Sequence, residues 1–170
     1  PAPLSAVRPP RMADILGPAA PPTALPAWQA PTAHAACRAG DTVLVHGAAG
    51  SVGGMVTQLA KVLGAQVTGT ARGVDSALVR ELGADRVIDY ETESFEDFPD
   101  RYDIVIDTVG GQTLEHSYAV VRPGGHLVTL QAPPSREQAD RYGLTATFFV
   151  VTAARARLTD IGAVTQDGRP

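Results

Sequence analysis

Glycines recur at every third residue through Gly47-Ala48-Ala49-Gly50-Ser51-Val52-Gly53, between the aliphatic run Val43-Leu44-Val45 and an amphipathic stretch. The pattern suits a strand, a tight turn and a helix that together hold the phosphates of a dinucleotide. Each glycine has its own reason to be there. Gly47 permits the sharp exit from the strand, and Gly50 lets the backbone approach a pyrophosphate. Gly53 lets the helix pack closely on the sheet. The helix start then offers unpaired N–H groups and the positive end of its dipole to an anion.

The end of the next strand decides between the two nicotinamide dinucleotides. A site for NAD(H) places a carboxylate about 20 residues after the first glycine, where it binds the ribose hydroxyls. This chain reads Thr70-Ala71-Arg72-Gly73, with no acid before Asp75. A hydroxyl and a guanidinium can hold a 2′-phosphate that a carboxylate would repel. NADP(H) is therefore the expected cofactor. Asp75 or Ser76 reads as a helix cap, and the plain alternative for Arg72 is a solvated loop arginine.

Other reactive side chains carry weaker signals. His46 ends the first strand, where a bond from its ring to a backbone carbonyl accounts for it better than catalysis does. His34 and Cys37 have the spacing of half a metal site, but zinc needs three or four ligands, so no metal is expected. Asp103 and Asp107 bound an apolar run and read as solvated strand ends and turn caps rather than an acid–base pair. Neither Tyr118 nor Tyr142 has a lysine four residues on, so neither forms a tyrosine–lysine proton donor. Glu93, Glu96 and Asp97 form a solvated acidic loop. Catalytic residues stay unassigned.

These side chains need a framework, and hydrophobic periodicity supplies it. Strands are expected over 42–46, 66–71, 86–89, 103–107, 126–130 and 144–151, with helices over 51–63 and 76–82. Leu114, Tyr118 and Val121 outline a further helical face, Pro123-Gly124-Gly125 a turn, and 131–142 a loop. Leu158 and Ile161 belong to a last helix, and a short helical piece is expected around 27–30. Alternation of this kind predicts an α/β fold, a doubly wound six-stranded parallel sheet of the Rossmann type, binding NAD(P). Residues 1–26, rich in Pro and Ala, read as a linker or hinge remnant, and 27–170 as the dinucleotide-binding domain.

Composition narrows the function classes. The 170 residues are 44% hydrophobic and 19% charged, as in ordinary globular domains. A net charge of −4 without a basic stripe argues against nucleic acid, and no apolar run reaches membrane-spanning length. One cysteine excludes an internal disulfide, and a cytoplasmic location is the default expectation.

Several stretches in order carry a resemblance: Ala24 to Ala30, Ala39 to Gly53, Leu82 to Tyr90, Asp107-Thr108-Val109-Gly110-Gly111, Arg122-Pro123-Gly124-Gly125, and Thr147 to Val151. Together they resemble the zinc-independent quinone oxidoreductase branch of the medium-chain dehydrogenase/reductase superfamily. The resemblance implies an NADPH-dependent reductase that passes hydride to a small-molecule quinone or activated alkene. It also implies that Ala49, Gly50, Ser51 and Val52 lie along the pyrophosphate, with Thr70 and Arg72 on the adenosine phosphate and Tyr90 near the adenine. Val109 would border the ribose and nicotinamide, and Leu130, Phe148, Phe149 and Val150 would line the nicotinamide side.

A homodimer through the sixth strand follows from the same resemblance, since that strand has two apolar faces and no guarding charge. Members of the branch carry a catalytic domain besides this one, so that domain is expected to lie outside this sequence. The chain alone is then expected to turn over little substrate. Pro26 stands where the branch has a threonine near the nicotinamide amide. Two other readings stay open: a nucleotide-binding or sensing module without chemistry, and another doubly wound fold such as a methyltransferase.

Overall fold

A computed structural model of the chain describes residues 24–98 and 101–149. The expected last helix, the end of the sixth strand and Val150 lie outside the described residues. Helix α1 (Ala24–Gln29) runs directly into a π-helical turn over Ala30–His34. There follow β1 (Thr42–His46), α2 (Ser51–Val62), β2 (Gln66–Ala71), α3 (Ser76–Glu81) and β3 (Arg86–Asp89). The second half comprises β4 (Tyr102–Asp107), α4 (Gln112–Ser117), β5 (Val121–Thr129), α5 (Arg136–Tyr142) and β6 (Thr145–Phe148). The strands pair in parallel in the order β3-β2-β1-β4-β5-β6. This is the doubly wound α/β sheet that the sequence predicts.

Successive strand residues point to opposite faces, so each strand feeds two cores. On one face Val43, Val45, Val67, Ile104, Ile106 and Val128 pack with Val56, Leu59 and Ala60 of α2 and with Ala27 and Ala30. On the other, Leu44, Val105 and Leu127 meet Leu114, Tyr118, Val120 and Ala139. Burial on both faces is why these strands read as aliphatic runs rather than alternating patterns.

Asp103 clips the amino ends of the two central strands together. Its Oδ2 accepts from the amide and the hydroxyl of Thr42, each at 2.7 Å, and its other oxygen pairs with Arg122. Burial works against ionisation, but these donors hold the carboxyl below the usual range. Asp103 is thus a structural bracket, not the solvated strand end expected.

Three local expectations need correction. Val121 belongs to β5, because the α4 helix ends at Ser117 and a 3₁₀ turn over Tyr118–Val120 leads straight into the strand. Pro123-Gly124-Gly125 lies inside β5, where pairing with β4 breaks after Val121 and resumes at His126, opposite Ile104. Proline cannot donate to the ladder there, and the strand bulges around it. The segment 131–142 is not all loop: Ser135 Oγ accepts from the Gln138 amide and caps α5, which ends at the left-handed Gly143 (φ +66°).

Candidate functional site

Strands β1 and β4 lie side by side, yet α2 packs on one face of the sheet and α4 on the other. That reversal opens a crevice at their carboxyl ends, the usual ligand site of open α/β sheets. The glycine turn enters it first. Gly47 has φ +71°, and a Cβ there would stand 2.7 Å from Thr108 Oγ1 and 3.1 Å from Val109 Cγ2. Gly50 closes the turn with its amide on the Gly47 carbonyl at 2.9 Å and serves as the N-cap of α2. No side chain caps this helix and no acid sits in its first turn, so its positive end is uncompensated. Gly53 packs on the turn itself: an added Cβ would overlap the Gly47 carbonyl oxygen and lie 2.8 Å from its carbon. Ser51 is exposed at the opening, while Ala49 and Val52 lean on the core beneath.

Beyond β2, Arg72 is on the surface with its Nε 3.1 Å from Asp75 Oδ2, and this carboxylate raises the guanidinium pKa. Asp75 occupies the N-cap position of α3, but its side chain caps nothing and turns to Arg72 instead. Tyr90 is exposed just after β3, near Arg72. Thr70 departs from expectation. It is buried, its hydroxyl 3.2 Å from the Gly47 amide and 3.3 Å from His46 Nδ1, so it works beneath the turn rather than at the crevice surface.

The loop after β4 forms the opposite lip. Asp107 is fully buried, not solvated, and its Oδ1 accepts from the Val109 and Gly110 amides at 2.9 Å each. Thr129 Oγ1 donates to its Oδ2 at 3.2 Å. Val109 is left more than half exposed above the glycine turn. Thr108 Oγ1 donates to the His46 carbonyl at 2.7 Å, and Gln131 Nε2 to the Thr108 carbonyl at 2.9 Å. Leu130 and Phe149 pack on the core at the carboxyl ends of β5 and β6, and Phe148 is half-buried beside them. Phe149 stacks on the His34 ring with centroids 4.0 Å apart.

His46 was expected to bond a backbone carbonyl. Its fully buried ring instead bridges two hydroxyls, Thr70 Oγ1 and, at 3.1 Å from Nε2, Ser117 Oγ. Burial pushes its pKa down to about 4, with the Asp107 charge acting the other way. The Cys37 thiol is pushed up to about 11, chiefly by burial and then by Asp41 and Asp103, so it is not a thiolate at neutral pH. Among the described residues no group of three or more His, Cys, Asp or Glu could hold a metal ion.

The described candidates therefore converge on the carboxyl ends of the strands, with Thr70 drawn below that surface. Ser117 and Gln131 join them unannounced, as do Thr108, expected only as part of a motif, and His34, weighed only as a metal ligand. The second lip itself is where the Asp107-Thr108-Val109-Gly110-Gly111 stretch and Val109 place it.

The profile of the zinc-binding dehydrogenase family matches residues 51–165. The chain belongs to that family. Within it, the motif resemblance to the zinc-independent quinone oxidoreductase branch is supported by the relatives found. The chain is 47% identical over 94 residues to the chloroplastic NADPH-dependent alkenal/one oxidoreductase of Arabidopsis thaliana, covering 54% of this chain and 24% of that protein. It is 47% identical over 93 residues to the 2-methylene-furan-3-one reductase of Solanum lycopersicum, with the same shares covered. Among solved structures, the quinone oxidoreductase from Coxiella burnetii superposes with a TM-score of 0.73 at 31% identity, covering 85% of this chain and 47% of that one. The match thus spans about a quarter of these curated relatives and about half of the solved structure. No helix among the described residues is long and apolar enough to cross a membrane.

Proposed function

We propose that this chain is the NADP(H)-binding domain of a reductase that delivers hydride to a quinone or activated alkene. The observation that carries the proposal is the uncapped amino end of α2 behind a tight turn with no room for a side chain at Gly47 or Gly53, set at the switch point of the sheet. The similarity to reductases of alkenals, furanones and quinones gives that site its chemistry. Gly47, Ala49, Gly50, Ser51 and Val52 line the pyrophosphate, and Gly53 lets α2 seat against the turn. Arg72 takes the 2′-phosphate, with Tyr90 beside the adenine. Val109, Leu130, Phe148 and Phe149 border the nicotinamide and keep water from it.

The cofactor supplies the hydride, and the residues here bind and orient it. Two features of the chain support NADP(H) over NAD(H). Arg72 is exposed at the end of β2, and Asp75, the first acid after it, is drawn onto Arg72 rather than left facing a ribose. Arg72→Ala should weaken NADPH binding roughly tenfold while leaving NADH nearly unaffected. An equal loss for both nucleotides would remove Arg72 from the phosphate site.

The same reading extends to a homodimer through β6, and to the cytoplasm as its compartment. β6 is an edge of the described sheet, and Thr145–Phe148 carries no charge to repel a second copy. Light scattering at micromolar concentration should report twice the chain mass; a monomer would contradict this pairing.

A further inference from the structure

Beneath the glycine turn runs a line of buried polar groups, Thr70, His46 and Ser117. Ser117 Oγ lies 2.6 Å from the Thr113 carbonyl, which commits its only proton. The 3.1 Å contact from Ser117 Oγ to His46 Nε2 must then be donated by the ring. A neutral imidazole protonated on Nε2 has a bare Nδ1, which accepts from Thr70 Oγ1 at 3.3 Å. With its proton so used, Thr70 Oγ1 is left to accept from the Gly47 amide at 3.2 Å. Every donor in the line finds an acceptor in one direction only: Gly47 to Thr70 to His46 to Ser117 to the first turn of α4. His46 is fully buried and Thr70 almost so, so no water replaces a missing member.

The opposite side of Gly47 is braced as well, since the His46 carbonyl accepts from Thr108 Oγ1 at 2.7 Å. Gly47 sits at φ +71°, and its carbonyl fixes the Gly50 amide. Its orientation therefore sets where the free amides of the α2 amino end point.

We propose that His46, with Thr70 and Ser117, is a positioning residue for the phosphate turn, tying the Gly47 amide to α4 through a hydrogen-bond line of fixed direction. The inference rests on the nucleotide-binding reading above. None of the three side chains touches the ligand; they hold the backbone that does.

Affinities for ADP and adenosine, measured by calorimetry on the unmodified chain, Thr70→Val, Thr70→Ser and Ser117→Ala, test it. Thr70→Val keeps the shape and removes the hydroxyl. It should weaken ADP about tenfold, with a smaller loss for Ser117→Ala, while adenosine, which lacks phosphate, stays within twofold. Thr70→Ser should restore ADP binding. A merely structural role would lower the melting temperature of folded variants without separating ADP from adenosine.

Imidazole ¹⁵N shifts of the unmodified chain give a second readout, independent of whether the variants fold. An Nε2-protonated His46 is expected, and the Nδ1-protonated tautomer would overturn the proposal. Thr70→Val and Ser117→Ala proteins that bind ADP as the parent does would also overturn it. An unmodified chain that does not bind ADP would overturn the nucleotide site itself.

Discussion

Gly53→Ala should destabilise the domain by at least about 3 kcal/mol, a large fraction of the 5–15 kcal/mol typical of a folded domain. The methyl group would overlap the Gly47 carbonyl oxygen and approach the carbon to 2.8 Å and Ala48 Cα to 3.1 Å. These are backbone atoms, so no rotamer change relieves the clash. The alternative is to lift α2, which would uncover Val56, Leu59 and Ala60. Gly50 is the informative contrast. A Cβ there meets only the Gly47 carbonyl oxygen, at 3.2 Å, and a shift of a few tenths of an ångström accommodates it. Gly50→Ala should therefore keep most of the stability. Urea unfolding separates the two variants, and a Gly53→Ala midpoint close to that of the parent would show that α2 is not seated on the turn.

The second large effect is a loss of stability in mild acid that belongs to one residue. His46 has a folded pKa of about 4 against an ordinary 6.5, because burial disfavours the imidazolium. Between those values the unfolded chain binds more protons than the folded one, so stability falls as pH falls from 6.5 toward 4. Below 4 this residue adds nothing further. The full difference amounts to about 3 kcal/mol. Asp103 and Asp85 act in a lower window, since their carboxyls are held below the ordinary value and their contribution is lost only when they protonate. His46→Asn, which cannot titrate, should flatten the profile between pH 6.5 and 4 and leave the lower limb in place. A parent whose stability is constant across that range would contradict the buried neutral ring.

The prominence of each feature in the sequence followed from its physics. β1 and β4 were legible because burial on both faces leaves them as unbroken aliphatic runs, and α2 because a glycine turn precedes a clean apolar stripe. α5 was missed because it buries little beyond Ala139, so its periodicity is faint. Its real signal was Ser135, whose hydroxyl caps α5 at the Gln138 amide, together with Gly143 at the other end. The bulge at Pro123 looks like a turn in the sequence because proline and glycine announce a break in the ladder without saying whether the strand resumes. In the site, positions on the glycine turn were legible because backbone geometry demands particular residue types there. The inward turn of Thr70, the double bridge at His46 and the burial of Asp107 were not, because each depends on partners 22 to 71 residues away that only the fold brings near.

The crevice at the β1/β4 switch point is proposed to bind NADP(H). Calorimetric titration of the unmodified chain with NADPH and with NADH addresses it most directly. Saturable binding of both is expected, with NADPH tighter by roughly tenfold or more because Arg72 pairs with the 2′-phosphate. Equal affinities, or no binding of either nucleotide, would contradict it.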